Sequence, residues 1–235
     1  MEGMTADDSS RSSASTSSRS STKQRRVTAH GAARFVVSWV RSTPGTHIWL
    51  LFLAVNSGIL AVVSPSVRSF LLHHNSTNLI ELRKHPIRVL IVSALWIEVP
   101  SGIALYFVLY ELVHAHAERW LGTPRWLAVA AIAHIGATLI SQKAVLMGID
   151  YDQLPRSLVH TVDIGVSYGL AGVVGVLTYR VPRPWRWLYA AGALGFFTYP
   201  LLSGERSYTD LGHFTAVLLG FACYPMTPTK QALGD

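Results

Sequence analysis

Cysteine is almost absent from this chain: Cys223 is the only one in 235 residues. An internal disulfide is therefore excluded, and a thiolate zinc site has no ligand set. Charged residues are scarce as well, at 14%, too few to clothe a soluble domain of this length. Acidic side chains are outnumbered 13 to 20 by Lys and Arg, for a net charge of +7. That excess is no nucleic-acid footprint, because the basic residues stand between apolar runs or in the N-terminal tail, where they report topology and attraction to anionic lipid. Internal repeats and a charged pathway of the kind a transporter uses are missing too. What remains is hydrophobic: half of all residues. The composition predicts an all-α, polytopic transmembrane helix bundle whose first partner is the lipid bilayer, with no nucleic acid bound.

Residues 1–33 read as a separate, disordered tail. From Ser9 to Thr22 nearly every residue is Ser, Thr, Ala or Arg, a composition that buries too little apolar surface to offset the entropy of ordering. Arg11, Arg19, Lys23, Arg25 and Arg26 follow without an apolar core behind them, so this is no secretory signal, and Glu2, Asp7 and Asp8 count against a transit peptide. The membrane domain is expected over 34–226, with a short C-terminal tail over 227–235. Six apolar runs lie in it, at 47–63, 87–113, 126–147, 162–179, 185–202 and 211–224, against the ~20 residues a helix needs to cross. The fourth and sixth are short. Most of the Lys and Arg residues fall on the side that also holds both termini, which places the termini in the cytoplasm.

The second run admits two readings. It is one tilted helix over 87–113, or it breaks where Glu98, Pro100, Ser101 and Gly102 interrupt it, leaving an external loop over 75–99 and a span from about 102 to 117. Helix packing is signalled more clearly. Gly169 and Gly172 in the fourth run, and Ala216 and Gly220 in the sixth, are small residues at the spacing that lets membrane helices approach backbone to backbone.

Chemistry is confined to two short segments. Ser167 follows Gly165 at the external start of the fourth run, and His213 stands at the external start of the sixth. With ~1.5 Å of rise per residue the two lie at the same depth. A serine hydroxyl is a weak nucleophile until an imidazole takes its proton, and polar groups inside a bilayer are costly enough to imply a task. The alternative is a serine that packs or bonds its own backbone.

The segments Gly165-Val166-Ser167 and His213-x-x-Ala216-x-x-x-Gly220 resemble the two motifs of the rhomboid intramembrane serine peptidases, Gly-x-Ser-Gly on the fourth helix and Ala-His-x-x-Gly-x-x-x-Gly on the sixth. The stretch from His85 through Trp96 is similar to the end of that family's external first loop. Ala117-Glu118-Arg119-Trp120-Leu121-Gly122 is similar to the Glu-Arg-x-x-Gly segment that closes its second helix. The likeness covers about 46–225 and favours the broken reading of the second run. It implies a rhomboid-like fold in a bacterial plasma membrane, Ser167 as nucleophile, His213 as general base, main-chain amides of Gly165 and Ser167 as oxyanion donors, and transmembrane segments of substrates or clients as partners. No cofactor and no metal are implied.

Departures from the pattern point the other way. Tyr168 stands where a glycine normally follows the serine, which is expected to crowd the backbone around an oxyanion. The family's His-x-x-x-Asn, aligned on Glu118, falls on Gly102 and Tyr106, and neither is expected to replace those donors. Losing one such donor costs on the order of 10²–10³ in rate. The resemblance therefore carries three readings: an intramembrane endopeptidase, a catalytically inactive pseudoprotease that binds client helices, and, least favoured, a small transporter.

Elsewhere, His73 and His74 beside Asn75 form only a weak metal cluster. His114, His116 and Glu118 read as a solvated helix end, and His134, in mid-span, as bonded to Ser93, Ser141 or a backbone carbonyl. The topology is testable with single cysteines at Ser18, Asn75 and Arg183 in a Cys223→Ser background. An impermeant thiol reagent applied to intact cells is expected to modify position 75 alone; labelling of 18 or 183 without 75 would invert the scheme.

Overall fold

The structure is a computed structural model that describes residues 31, 33–203 and 207–228. Most of the tail expected over 1–33, namely residues 1–30 and 32, and most of the C-terminal tail, 229–235, lie outside the described residues. The chain divides into two compact units, Met1–Ser42 and Thr43–Asp235. In the first, residues 33–42 are helical, with Phe35, Val36 and Val37 exposed.

The second unit is built of helices, with no strand among the described residues. Its helices are α1 (Pro44–Val62), α2 (Pro65–Asn75), α3 (Leu79–Lys84), α4 (Pro86–Val92), α5 (Ile103–Leu109), α6 (His116–Leu121), α7 (Thr123–Asp150), α8 (Val166–Leu177), α9 (Arg183–Leu202) and α10 (Tyr208–Ala222). By length and hydropathy α1 and α7 suffice to cross a membrane, and Pro86–Leu95 with Pro100–Leu121 makes a third candidate bent by 62°. The second apolar run is thus broken, as the prolines and Gly102 suggested. A 3₁₀ turn over Ser93–Leu95 gives way to extended Trp96 and Val99 before Pro100 restarts the helix. Between α5 and α6 the backbone loosens into a π-helical stretch, Tyr110–Ala115. It turns His114 inward, stacked on Tyr110 at 4.1 Å between centroids, where its Nδ1 accepts the Trp126 indole N–H at 3.0 Å.

That inward turn overturns the solvated-end reading of His114 and Glu118, since both are buried. The reason is the start of α1. Pro44 opens it with no side-chain cap from Thr43, so its first amides need partners from elsewhere. Glu118 supplies them: its carboxylate accepts from Gly45 N at 2.9 Å, Thr46 N at 2.8 Å and Thr46 Oγ1 at 2.7 Å, and also from Thr123 Oγ1 at 2.7 Å. An anion at a helix N-terminus is stabilised by the helix dipole as well. Gly122, at φ +79°, makes the left-handed turn from α6 into α7 that holds Glu118 and Thr123 side by side.

At the centre of the bundle α7, α8 and α10 pack on one another, through Ala133, Ala137, Ala171, Ala216 and Val217 and through Trp126, Val129, Val173 and Val176. A side chain on Gly220 would overlap the Gly172 carbonyl, one on Gly175 would come within 2.5 Å of the Val217 oxygen, and one on Gly172 would strike Ala133. Gly169 does not share this seam. It faces Ala130 of α7 and Trp49 of α1. In contrast α9 buries no residue fully and leans on α10. Because apolar burial gives no net drive between helices in lipid, this backbone contact is what holds α8 to α10. Gly220→Leu is expected to destabilise the protein by about 1–3 kcal/mol through overpacking, read as a lower unfolding temperature in detergent. Gly58→Leu, which enters open space, serves as the control. Equal stability of the two variants would mean that the helices do not meet at Gly220.

Candidate active site

The segment before α8 is fixed by Asp163, which is buried. Thr77 N donates to its carbonyl at 2.9 Å. Its carboxylate accepts from Gln142 Nε2 at 2.9 Å, Thr77 Oγ1 at 3.1 Å and the Tyr168 hydroxyl at 3.0 Å. One carboxylate thereby joins the loop after α2 to α7 and α8, and its charge is met by three donors in a region where an unmet one would be expensive. These bonds hold residues 162–165 out of the helix, so α8 starts later than the apolar run beginning at 162.

Gly165 is the N-cap of α8 and lies against the His134 ring, which any side chain there would overlap. Of the partners expected for His134, the structure selects the Leu90 carbonyl, 2.8 Å from Nε2, with Ser93 Oγ at 3.4 Å; Ser141 instead donates to Thr138 O. His134 thus ties α4 to the helix that carries Ser167. The amides of Val166 and Ser167 belong to the first turn of α8, where helical geometry provides no carbonyl partner.

On the facing helix, α10 is started by a reciprocal cap. Asp210 accepts from Ser207 N at 3.0 Å and Ser207 Oγ accepts from Thr209 N at 3.1 Å, the capping-box arrangement. One turn on, His213 Nε2 lies 2.8 Å from Ser167 Oγ. The Phe197 ring lies 6.1 Å from the imidazole, and Tyr168 meets it edge-on at 5.1 Å and 71°.

Tyr168 corrects the expectation that its bulk crowds the oxyanion position. One residue beyond Ser167 on a helix is a different face, and the Tyr168 side chain is buried among α7, α8 and α10, with its hydroxyl on Asp163. Room for it comes from Gly212, where a side chain would approach the Tyr168 ring to 2.5 Å. The glycine usual after the serine has in effect been exchanged for one beside the histidine. Tyr106, at the other of the two family donor positions, packs with Tyr110 and Val166 at the start of α8, and Gly102 offers no side-chain donor.

Ser167 and His213 open onto a cleft of about 520 Å³ between α5, α8 and α9, walled by Leu109, Val113, Leu170, Val174, Tyr189 and Phe196. A second space of about 400 Å³ lies on the other side of Phe196 and Phe197, bounded by His213, Asp210 and Tyr199. His73 and His74 lie apart from both, with His73 Nδ1 2.8 Å from Ser69 O and His74 beside Arg88 and Glu81. Among the described residues no group of three or more His, Cys, Asp or Glu could hold a metal. Sequence reasoning missed Asp163; its only signal was an acid at the mouth of an apolar run. Tyr168→Gly is expected to empty a buried site and cost about 3 kcal/mol or more, and Tyr168→Phe, which strands one Asp163 oxygen, about 1–3 kcal/mol. Unfolding in detergent checks both, and wild-type stability of Tyr168→Gly would refute the placement of this ring.

With this geometry in hand, comparison with known proteins is informative. Residues 38–233 match a family described as rhomboid-like protein. No curated protein and no solved structure matches the chain. The family match covers most of the chain and agrees with a helical bundle that has no strand among the described residues and with its apolar spans. This integral membrane protein therefore belongs to the rhomboid-like protein family.

Proposed function

We propose that the protein is an intramembrane serine endopeptidase working through a Ser167–His213 dyad. The observation that carries this reading is the 2.8 Å contact between Ser167 Oγ and His213 Nε2, within the range required of a nucleophile and its base. In the first step Ser167 Oγ bonds to the scissile carbonyl carbon, its proton passes to His213 Nε2, and the carbonyl π electrons move to oxygen. Collapse of that intermediate re-forms the carbonyl, breaks the C–N bond and returns the proton from His213 to the leaving amine. The first-turn amides of α8, at Ser167 above all, are the main-chain donors for the oxyanion, in keeping with the positive end of the helix dipole.

The substrate is an apolar transmembrane segment, for which the cleft between α5 and α9 supplies a lipid-compatible wall. The bundle sits in a bacterial plasma membrane with both termini in the cytoplasm. A second reading, client binding without cleavage, is favoured by one observation: Gly102, the N-cap of α5, leaves one of the two family donor positions empty. A fluorophosphonate probe separates the two. Labelling at Ser167, located by peptide mass analysis and abolished by His213→Ala, is expected for a peptidase. Folded protein that stays unlabelled at Ser167 leaves client binding.

A further inference from the structure

We propose that the helix over 33–42 is a lipid-binding element lying in the plane of the bilayer surface, its apolar face among the acyl chains and its arginines on the phosphates of anionic headgroups. The inference does not depend on the peptidase reading. At about 100° per residue, Phe35, Trp39, Val36, Val40, Ala33 and Val37 fall side by side on one arc of this helix, and Arg41, Arg34, Ser38 and Ser42 fill the rest. Apolar and polar side chains are thus fully segregated. Phe35 and Trp39, one turn apart, stack with their centroids 6.4 Å apart and their planes at 18°. Phe35 is 68% exposed and Val36 57%, and Val37 and Val40 are exposed as well, a continuous apolar face of the kind that marks an interaction surface.

Chain continuity and charge together name the bilayer as the occupant of that face. The helix ends at Ser42, and Thr43 leaves helical geometry, at φ −140° and ψ 55°, before Pro44 opens α1. By itself α1 is long and apolar enough to cross, so the preceding helix is not needed for the span. It is nevertheless tethered by a single residue to the point where the span begins, which for a membrane helix is the headgroup level. Its polar arc carries Arg34 and Arg41, and neither takes part in the ion pairs among the described residues. No Asp or Glu occurs in the chain between Asp8 and Glu81, while Lys23, Arg25 and Arg26 closely precede the helix. Charge of this one sign has its complement in the anionic headgroups of a leaflet. An aromatic and aliphatic face opposite an arginine face is the pattern that sinks part-way into the headgroup and acyl boundary. The arginine stems can lie along that boundary while their guanidinium groups reach up to phosphate oxygens, with which they pair well.

The test places nitroxide labels on single cysteines, Val36→Cys, Val37→Cys, Val40→Cys, Ser38→Cys and Ser42→Cys, each in the full chain with Cys223→Ser. The protein is held in nanodiscs of phosphatidylcholine with or without phosphatidylglycerol, so that both faces meet solvent. Collision with oxygen, which dissolves in lipid, is compared with collision with a water-soluble nickel chelate. With phosphatidylglycerol present, the oxygen-to-nickel ratio is expected to be severalfold higher at 36, 37 and 40 than at 38 and 42. Charge reversal, Arg34→Glu with Arg41→Glu, is expected to bring the ratio at 37 down to that of the polar positions in those discs and to leave it high in phosphatidylcholine alone. One ratio at all five positions would overturn the inference, since the helix would then stand in water. Shielding of 36, 37 and 40 from oxygen and nickel alike, or magnetic coupling between labels on separate copies, would overturn it by showing that protein covers the face. Charge reversal without effect in phosphatidylglycerol discs would overturn the role of the anionic headgroups. The five-position profile needs no charge variant, so it decides the placement even where charge reversal disturbs folding.

Discussion

The site depends on one contact, the meeting of α8 and α10 backbone to backbone. With Gly172 and Gly175 on one helix and Gly220 on the other, main-chain atoms touch where side chains would normally keep helices 8–10 Å apart. That approach sets the distance between the first turn of α8 and the first turn of α10, and so between Ser167 and His213. Neither helix is long, at 12 and 15 residues, yet both are lodged against α7. A membrane provides little hydrophobic drive between helices, so the precision of the Ser167–His213 contact rests on close packing and on a few buried hydrogen bonds.

Two carboxylates set the ends of this assembly, each joining segments distant in sequence. Glu118 closes the N-terminus of α1 onto the α6–α7 turn. Asp163 joins the loop after α2, α7 and α8 just ahead of Ser167. Removing either would strand amides or hydroxyls away from water, at about 1–3 kcal/mol for each group. Asp163 has a further consequence: through Tyr168, wedged against His213 by the absence of a side chain at Gly212, its position is transmitted to the His213 ring. By comparison α9 is held loosely, with no fully buried residue, and it is the wall of the cleft with the least to lose on moving.

The sequence made the class of the fold and the nearness of Ser167 to His213 readable for definite reasons. Apolar runs of spanning length are a strong signal, and so are Gly and Ala at four-residue intervals. The break near Pro100 was visible because proline and glycine weaken helices wherever they stand. What escaped notice depends on which face a residue presents. Glu118 and His114 look solvated by their neighbours in sequence, yet His114 lies in a π-helical stretch, which has no sequence mark, and Glu118 is drawn in by the free amides at the start of α1. Gly169 has the same spacing as Gly172 but faces α7 and α1. Tyr168 and Gly212 exchange bulk across a helix interface, a compensation that cannot be seen at either position alone.

The account stands or falls on the Ser167–His213 pairing within a bilayer. Solid-state ¹⁵N NMR of imidazole-labelled protein in lipid vesicles reads that pairing directly, with His213 identified by its loss in His213→Asn. The structure predicts that His213 Nε2 resonates as an unprotonated, hydrogen-bonded nitrogen at neutral pH, and that Ser167→Ala shifts it while leaving His134 unmoved. A His213 signal indifferent to Ser167→Ala would contradict the pairing, and with it the chemistry assigned to this fold.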